Sequence, residues 1–283
     1  MRLASYQYGG RSRYGVVNGD RIQDLTSADG AWPDLKSALT KCDWVELAAL
    51  AARARETHDA ARVEYLPVIP NPGKIMCAGV NYPAHILGDA TPAKYPSLFI
   101  RVPSSLVGHN APVVKPPESD QYDYEGELAV IIGKPGRRIS EADALKHVAG
   151  YTCANDGSAR DWQRHAGPPT AGKNFERSGS IGPWLASPDE VGDPAALTLV
   201  TRINDVERQR DSVGRMHFSV PQLIVYISTI TTLETGDIIL TGSPTGTGFS
   251  LKPPIFLAPG DAIEIEIERV GTLRNAVVAE TTA

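Results

Sequence analysis

Apolar and polar positions in this chain follow two spacings, and the period of two dominates. The stretch "RYGVVNGDRIQDL" (13–25) alternates about an Asn18-Gly19 turn, the pattern of a β-hairpin. "KIMCAGV" (74–80), "ELAVIIG" (127–133), "LTLVTRIND" (197–205), "DIILTG" (237–242) and "DAIEIEIERVGTLRNAV" (261–277) read as further strands. Helical spacing is rarer. "DWVELAALAARARETHDAARVEYL" (43–66) predicts one alanine-rich helix. "SVPQLIVYISTITTLE" (219–234) predicts another, with Ser219 as cap and Pro221 just inside the start. "SEADALKHVAG" (140–150) predicts a short one, opened by Ser140 and closed near Gly150. Strands outnumber helices without alternating with them, so the fold class is α+β and β-rich, a mixed roll or barrel rather than a doubly wound parallel sheet. The proline-rich "PVIPNPGK" (67–74) marks a boundary between a small N-terminal domain, 1–70, and a main domain, 71–283.

One strand is wrong for its own pattern. In "QYDYEGELAVIIGK" (121–134) the run Val130-Ile131-Ile132 belongs in a buried sheet, yet Asp123, Glu125 and Glu127 lead into it at alternating positions. Side chains two apart on a strand share a face, about 6.6 Å from each other. Glu125 and Glu127 therefore project together, and like charges on one half-buried face repel. A third acid, Asp156, follows a β-like run in "YTCANDGSARDWQ" (151–163), at a turn. Three oxygen donors with no Cys or His between them suit a hard cation, Mg²⁺, Mn²⁺ or Ca²⁺, and a divalent ion removes the repulsion. A solvent-facing edge strand would carry the glutamates with no ion at all.

Composition narrows the partners. Net charge is −5, and no basic stripe with interleaved aromatics is present to neutralise phosphates, which excludes nucleic acid. No apolar run reaches the ~18 residues of a membrane helix, and "MRLASYQYGG" lacks an apolar signal core, so a cytoplasmic protein is expected. Cys42, Cys77 and Cys153 are odd in number and widely spaced, which argues against a disulfide framework.

Polar residues that can carry chemistry gather around the acids. Arg160 and Gln163 follow Asp156, and Lys173 lies in "GKNFERSGSIGPW" (172–184). His85 and Tyr82 lie in "GVNYPAHILGD" (79–89), and "LTGSPTGTG" (240–248) is a glycine- and hydroxyl-rich loop after a strand. That loop is neither a P-loop nor a dinucleotide fingerprint, because it lacks both GK[ST] and GxGxxG.

Taken in order, "GVNYPAH", "SSLVGHNAPVVKP", "DYEGELAVIIGK", "GYTCANDGSARDWQ", "GKNFERSGSIGPW" and "TTLETGDIILTGSPTGTG" resemble the fumarylacetoacetate hydrolase family, its acylpyruvate hydrolase-like branch in particular, and "LAPGDAIEIEIERVGTLRN" extends the likeness. The resemblance implies a β-rich roll, commonly dimeric, with Mg²⁺ or Mn²⁺ held by Glu125, Glu127 and Asp156. It implies substrate-binding roles for Arg160, Arg101, Tyr82, Thr241, Gly242 and Ser243. His85 becomes the base that activates water, oriented by Asp89, with Lys173 and Gln163 stabilising an oxyanion. Family members carry a glutamate three residues after the histidine. Here that position is Gly88, and Asp89 one residue later takes its place. Arg101 stands where lysine is common, and Ser178 and Ser180 where Phe and Pro are usual.

The expected reaction is metal-dependent hydrolysis of the carbon–carbon bond of a 1,3-diketo acid, an acylpyruvate or a fumarylpyruvate- or maleylpyruvate-like acid, to pyruvate and a carboxylic acid. Arg101 and His109 are candidates for recognising a second carboxylate. The alternative within the same resemblance is a 2-oxo acid decarboxylase, tautomerase or hydratase acting on an oxaloacetate-like substrate, which needs the same enolate stabilisation but no activated water. From another class comes a metal-stabilised binding module without turnover.

Overall fold

The strand Gly126–Ile132, the sequence's anomaly, runs through the middle of the molecule and is buried along its whole length. The structure is a computed structural model and describes residues 1–83, 93–165 and 168–281. Among the described residues, ten strands succeed one another along one mixed sheet of twelve. They are β1 (Arg2–Tyr8), β2 (Arg11–Asn18), β3 (Arg21–Asp24), β4 (Glu56–Asp59) and β5 (Ile75–Gly79). The others are β6 (Ser97–Ile100), β7 (Gly126–Ile132), β8 (Val148–Asn155), β9 (Gly179–Ala186) and β10 (Ile238–Leu240). Their spatial order is β4-β3-β2-β1-β9-β8-β7-β10-β5-β6. The sheet is open at both ends rather than closed into a barrel. Only the β10–β5 pairing along this path is parallel.

A second sheet of five strands, in the order Val206–Ser212, Thr198–Ile203, Ala262–Ile267, Gly271–Ala279 and Val113–Lys115, packs on one face. The period-2 alternation of β7 explains its double burial. Leu128, Val130 and Ile132 enter a core shared with Leu199, Ile265 and the helix Val220–Ile230. Ala129 and Ile131 enter another with Leu39, Leu47 and Leu50 of the N-terminal helices. Fully burying each such aliphatic side chain contributes about 1.5–3 kcal/mol, so this strand is a fixed platform. Among the described residues no helix is long and apolar enough to cross a membrane.

Local expectations met three outcomes. Val220–Ile230 forms as expected, with Ser219 and Gln222 in a reciprocal capping box. The hairpin at 13–25 forms too, but Asn18 pairs with Arg21, which puts Gly19 and Asp20 at the tip. The long helix predicted over 43–66 stops at Ala51, because Glu56–Asp59 pairs with Arg21–Asp24 as β4. There strand pairing outweighs alanine propensity. The predicted helix at 140–150 is 3₁₀ over Glu141–His147; the Ser140 side chain makes no capping bond to the helix backbone, and Gly150 lies inside β8. The proline-rich segment runs from the helical N-terminal unit into β5. The unit's own strands nonetheless continue the main sheet, since β1 pairs with β9 through Arg2–Ala186 and Leu3–Leu185.

Candidate metal centre

The acids converge because of register. Gly126 of β7 lies opposite Asn155 of β8, and the next step of the ladder is Asp156 N–H donating to Glu125 C=O at 2.9 Å. Glu125 and Asp156 therefore face each other, and Glu127 is two residues along on the same face. The segment around Glu125 is not continuous strand, as the alternation predicted. Tyr122–Asp123 pairs separately with Ser158–Ala159, and the chain breaks at Tyr124-Glu125. That break turns Asp123 away from the triad. Carboxylate oxygens of Glu125, Glu127 and Asp156 lie within 4.8 Å of one another.

Charge is distributed as a ladder. Asp123 accepts from Arg160 Nε and Nη2, both at 2.8 Å, and Arg160 Nη1 reaches Glu125 Oε1 at 2.7 Å. Lys173 Nζ stands 2.5 Å from both Glu125 Oε2 and Asp156 Oδ2. Arg101 Nη1 takes the other Asp156 oxygen at 2.6 Å. Burial opposes ionisation of Glu125, yet the charges of Arg160 and Lys173 hold it down to about 2. Lys173 is likewise buried, which disfavours its charge, but Asp156 and Glu125 outweigh this and keep it an ammonium.

Glu127 is the exception. It is 2% exposed, and among the described residues its hydrogen-bond donor is the backbone N–H of Gly242, at 2.7 Å. Burial and the charges of Asp156 and Glu125 push its pKa well above the usual carboxylate range. A buried carboxylate repelled by two others is the signature of a site short of one positive charge. Three hard oxygen donors meet that need with Mg²⁺ or Mn²⁺. The residues present fit a divalent ion.

A cavity of 520 Å³ opens over the triad. Arg160, Gln163, Lys173 and Ser243 are among its polar lining, and Phe99, Pro169 and Phe249 among its apolar lining, with the Phe99 ring 5.1 Å from Lys173 Nζ. Two devices shape its rim. Val80 has φ 53°, an uncommon backbone conformation for a β-branched residue. Asn81 fixes it by donating to Thr241 C=O and Phe218 C=O while accepting from Phe218 N–H. Gly242, at φ 98°, approaches Asn81 so closely that a Cβ would lie 2.6 Å from that residue's Cβ.

The residues expected from the sequence divide by position. Arg160, Gln163, Lys173 and Ser243 reach the cavity. Arg160 grips the protein's own carboxylates, Asp123 and Glu125, and also lies 3.3 Å from Gln163 Oε1. Gly242 serves through its N–H to Glu127, while Thr241 is buried behind it with its hydroxyl on Leu128 C=O. Tyr82 is buried and does not line the cavity. Arg101 is fully buried behind Asp156, away from the cavity wall. His109 is also remote, accepting from Arg274 N–H at 3.1 Å. His85 and Asp89 lie outside the described residues.

Two contributors were given no role from the sequence. Asp123 anchors both Arg160 and the N–H groups of Gly248 and Phe249, at 2.8 and 3.0 Å. Its charge beside two other acids was the available signal. Gln209 donates to Ser243 Oγ at 2.8 Å and accepts from Gly126 N–H. Nothing in "VERQRDS" marks that glutamine as buried.

Comparison with known proteins places this geometry. Residues 74–278 match the profile described as "Fumarylacetoacetate (FAA) hydrolase C-terminal". The chain is 42% identical over 221 residues to bovine "Oxaloacetate tautomerase FAHD2A, mitochondrial", covering 77% of this chain and 70% of that protein. With "Oxaloacetate tautomerase YisK" of Bacillus subtilis the identity is 37% over 286 residues, covering 93% and 94%. Among solved structures, maleylpyruvate hydrolase from Sphingobium sp. SYK-6, in complex with manganese(II) ion and pyruvate, superposes with a TM-score of 0.81 at 33% identity, covering 99% of this chain and all of that one.

Proposed function

The chain belongs to the fumarylacetoacetate hydrolase family, and we propose that it is a divalent-metal enzyme interconverting the enol and keto forms of a 2-oxo acid of the oxaloacetate kind. Of the two reactions left open by the sequence, this one, rather than carbon–carbon hydrolysis, is favoured by the tautomerase relatives. The observation that carries the reading is the Lys173 ammonium, 2.5 Å from two of three converging carboxylates on the floor of the cavity.

Glu125, Glu127 and Asp156 would hold the ion. Bound there, Mg²⁺ or Mn²⁺ supplies orientation of the 2-oxo acid and Lewis-acid stabilisation of enolate charge. The remaining chemistry is proton transfer. In the keto-to-enol direction the C3–H bond breaks, its electron pair becomes the C2=C3 bond, and the carbonyl π pair moves to oxygen. We assign to Lys173 the proton given to that oxygen; its carboxylate partners keep it an ammonium. A neutral imidazole suits the removal of the carbon-bound proton, which we assign to His85 from its motif. Water returns the proton from imidazolium to amine, so the step balances as an isomerisation. Gln163 and Ser243 supply hydrogen bonds to the substrate's carboxylate oxygens from the cavity wall.

A second reading, hydrolysis of a diketo acid, is favoured by one observation. The 520 Å³ cavity, lined by Phe99, Pro169 and Phe249 as well as by its polar groups, has room for a chain longer than four carbons. One assay separates the two. Enol oxaloacetate is followed by its absorbance with Mn²⁺ present, while pyruvate release from maleylpyruvate is followed by a coupled dehydrogenase. We expect fast enol loss without pyruvate, abolished by EDTA, and a fall of about 10²–10⁴-fold in Lys173→Met. Failure of the Mn²⁺-loaded protein to accelerate enol loss defeats the reading.

A further inference from the structure

Arg101 was expected at the substrate, and its surroundings give it another task. Its side chain has no solvent exposure. All five guanidinium N–H donors find acceptors, which is the full capacity of the group. Nε donates to Ser105 Oγ at 3.1 Å. Nη1 donates to Asp156 Oδ1 at 2.6 Å and Gly157 C=O at 3.0 Å. Nη2 donates to Ser105 C=O at 3.2 Å and Ser178 Oγ at 3.0 Å. Space is cut to match. A Cβ on Gly179 would lie 2.7 Å from Arg101 Nη2. The sequence departures at 101 and 178, which look independent along the chain, are one contact in space.

We propose that Arg101 is the positioning residue of the cation site, with Ser178 and Gly179 shaped to receive its guanidinium. It fixes Asp156 by one oxygen, Oδ1, and leaves the other, Oδ2, to Lys173 within the cluster shared with the glutamates. The inference rests on the reading of Glu125, Glu127 and Asp156 as metal ligands. Lysine offers three donors from one nitrogen, so Arg101→Lys keeps the charge but strips donors from at least two of the five acceptors.

The test is the Mn²⁺ dissociation constant of the full chain, by calorimetry and by the electron paramagnetic resonance of free Mn²⁺, with the KM for enol oxaloacetate measured at saturating Mn²⁺. Groups that hold metal ligands are worth about 10–100-fold in affinity. Arg101→Lys should raise the Mn²⁺ dissociation constant by about 10-fold or more and leave KM at saturating Mn²⁺ unchanged. Ser178→Ala should move the constant a few-fold in the same direction, and the double variant should bind no more weakly than Arg101→Lys alone. Mn²⁺ binding within twofold of wild type in Arg101→Lys overturns the proposal, as does a raised KM with an unchanged metal constant, which would return Arg101 to the substrate. If Arg101→Lys does not fold, unchanged Mn²⁺ binding in Ser178→Ala overturns it. Wild type that binds no Mn²⁺, or Glu127→Gln that binds it as wild type does, defeats the metal reading instead.

Discussion

Two acid clusters in this chain look alike by distance and differ in where the surplus charge lies. Ligand atoms of Asp24, Glu56 and His58 in the N-terminal unit lie within 4.8 Å of one another, as do those of Glu125, Glu127 and Asp156. Each cluster already holds a cation. Arg13 bridges Asp24 and Glu56, and Lys173 bridges Glu125 and Asp156. The remaining carboxylate of the N-terminal cluster, Glu56, is 53% exposed. Asp24, its buried member, is penalised by burial but held below the usual carboxylate range by Thr26, Arg13 and His58. In the cavity the odd carboxylate is Glu127, out of water and pushed the opposite way. Proximity of acids does not make a metal site; a stranded buried charge does.

The comparison breaks most visibly at the metal. Glu127→Gln should lose Mn²⁺ binding and lower enol turnover by roughly 10³-fold, whereas Glu56→Gln should keep one Mn²⁺ per chain and wild-type rates. Titration to two ions per chain, or loss of the ion in Glu56→Gln, would show that the clusters are equivalent. Next in size is Asp24→Ala, which takes the buried acid from Arg13 and His58 and leaves them the half-exposed Glu56. Urea unfolding should show a loss of about 3–5 kcal/mol, the usual result of removing one partner of a buried pair, with activity per folded molecule retained. A loss below ~1 kcal/mol would mean that the N-terminal ladder holds nothing together.

The smallest effect sharpens the contrast. Without metal, the folded state favours protonated Glu127, whereas the unfolded chain ionises it near the ordinary value of 4.5. Its contribution to stability is therefore full below pH 4.5 and is lost as pH rises toward the folded-state value. Glutamine does not titrate. Metal-free Glu127→Gln should thus outlast wild type at pH 8 by on the order of 1–3 kcal/mol, the cost of an unpaired buried polar group. The gap should close on acidification, and a gap that widens would reverse the assigned direction.

What the sequence made legible was local. Glu125 and Glu127 announced themselves by placing like charges into an apolar strand, and Ser219 with Pro221 announced a helix start. What it concealed depends on partners far along the chain. Helix 43–66 ends at Ala51 because residues 56–59 find β3. Arg101 is 55 residues from Asp156 and 77 from Ser178, and nothing periodic ties those positions together. Asp123 belonged, by alternation, with the glutamates. A break at Tyr124-Glu125 turned it to Arg160, and backbone breaks of that kind follow from what packs above them.

The junction of β1 with β9 has a bearing on how this protein is handled in the laboratory. Because Leu3 pairs with Leu185 and the Met1 amine donates to Ser187 Oγ, we expect the first seventy residues not to come away as a module. A truncation starting near residue 70 would bare a raw margin beside β8, the strand that ends at the acid turn, and unpaired margins recruit neighbouring chains. Shortened versions would first show their fault as turbidity, before any rate was measured.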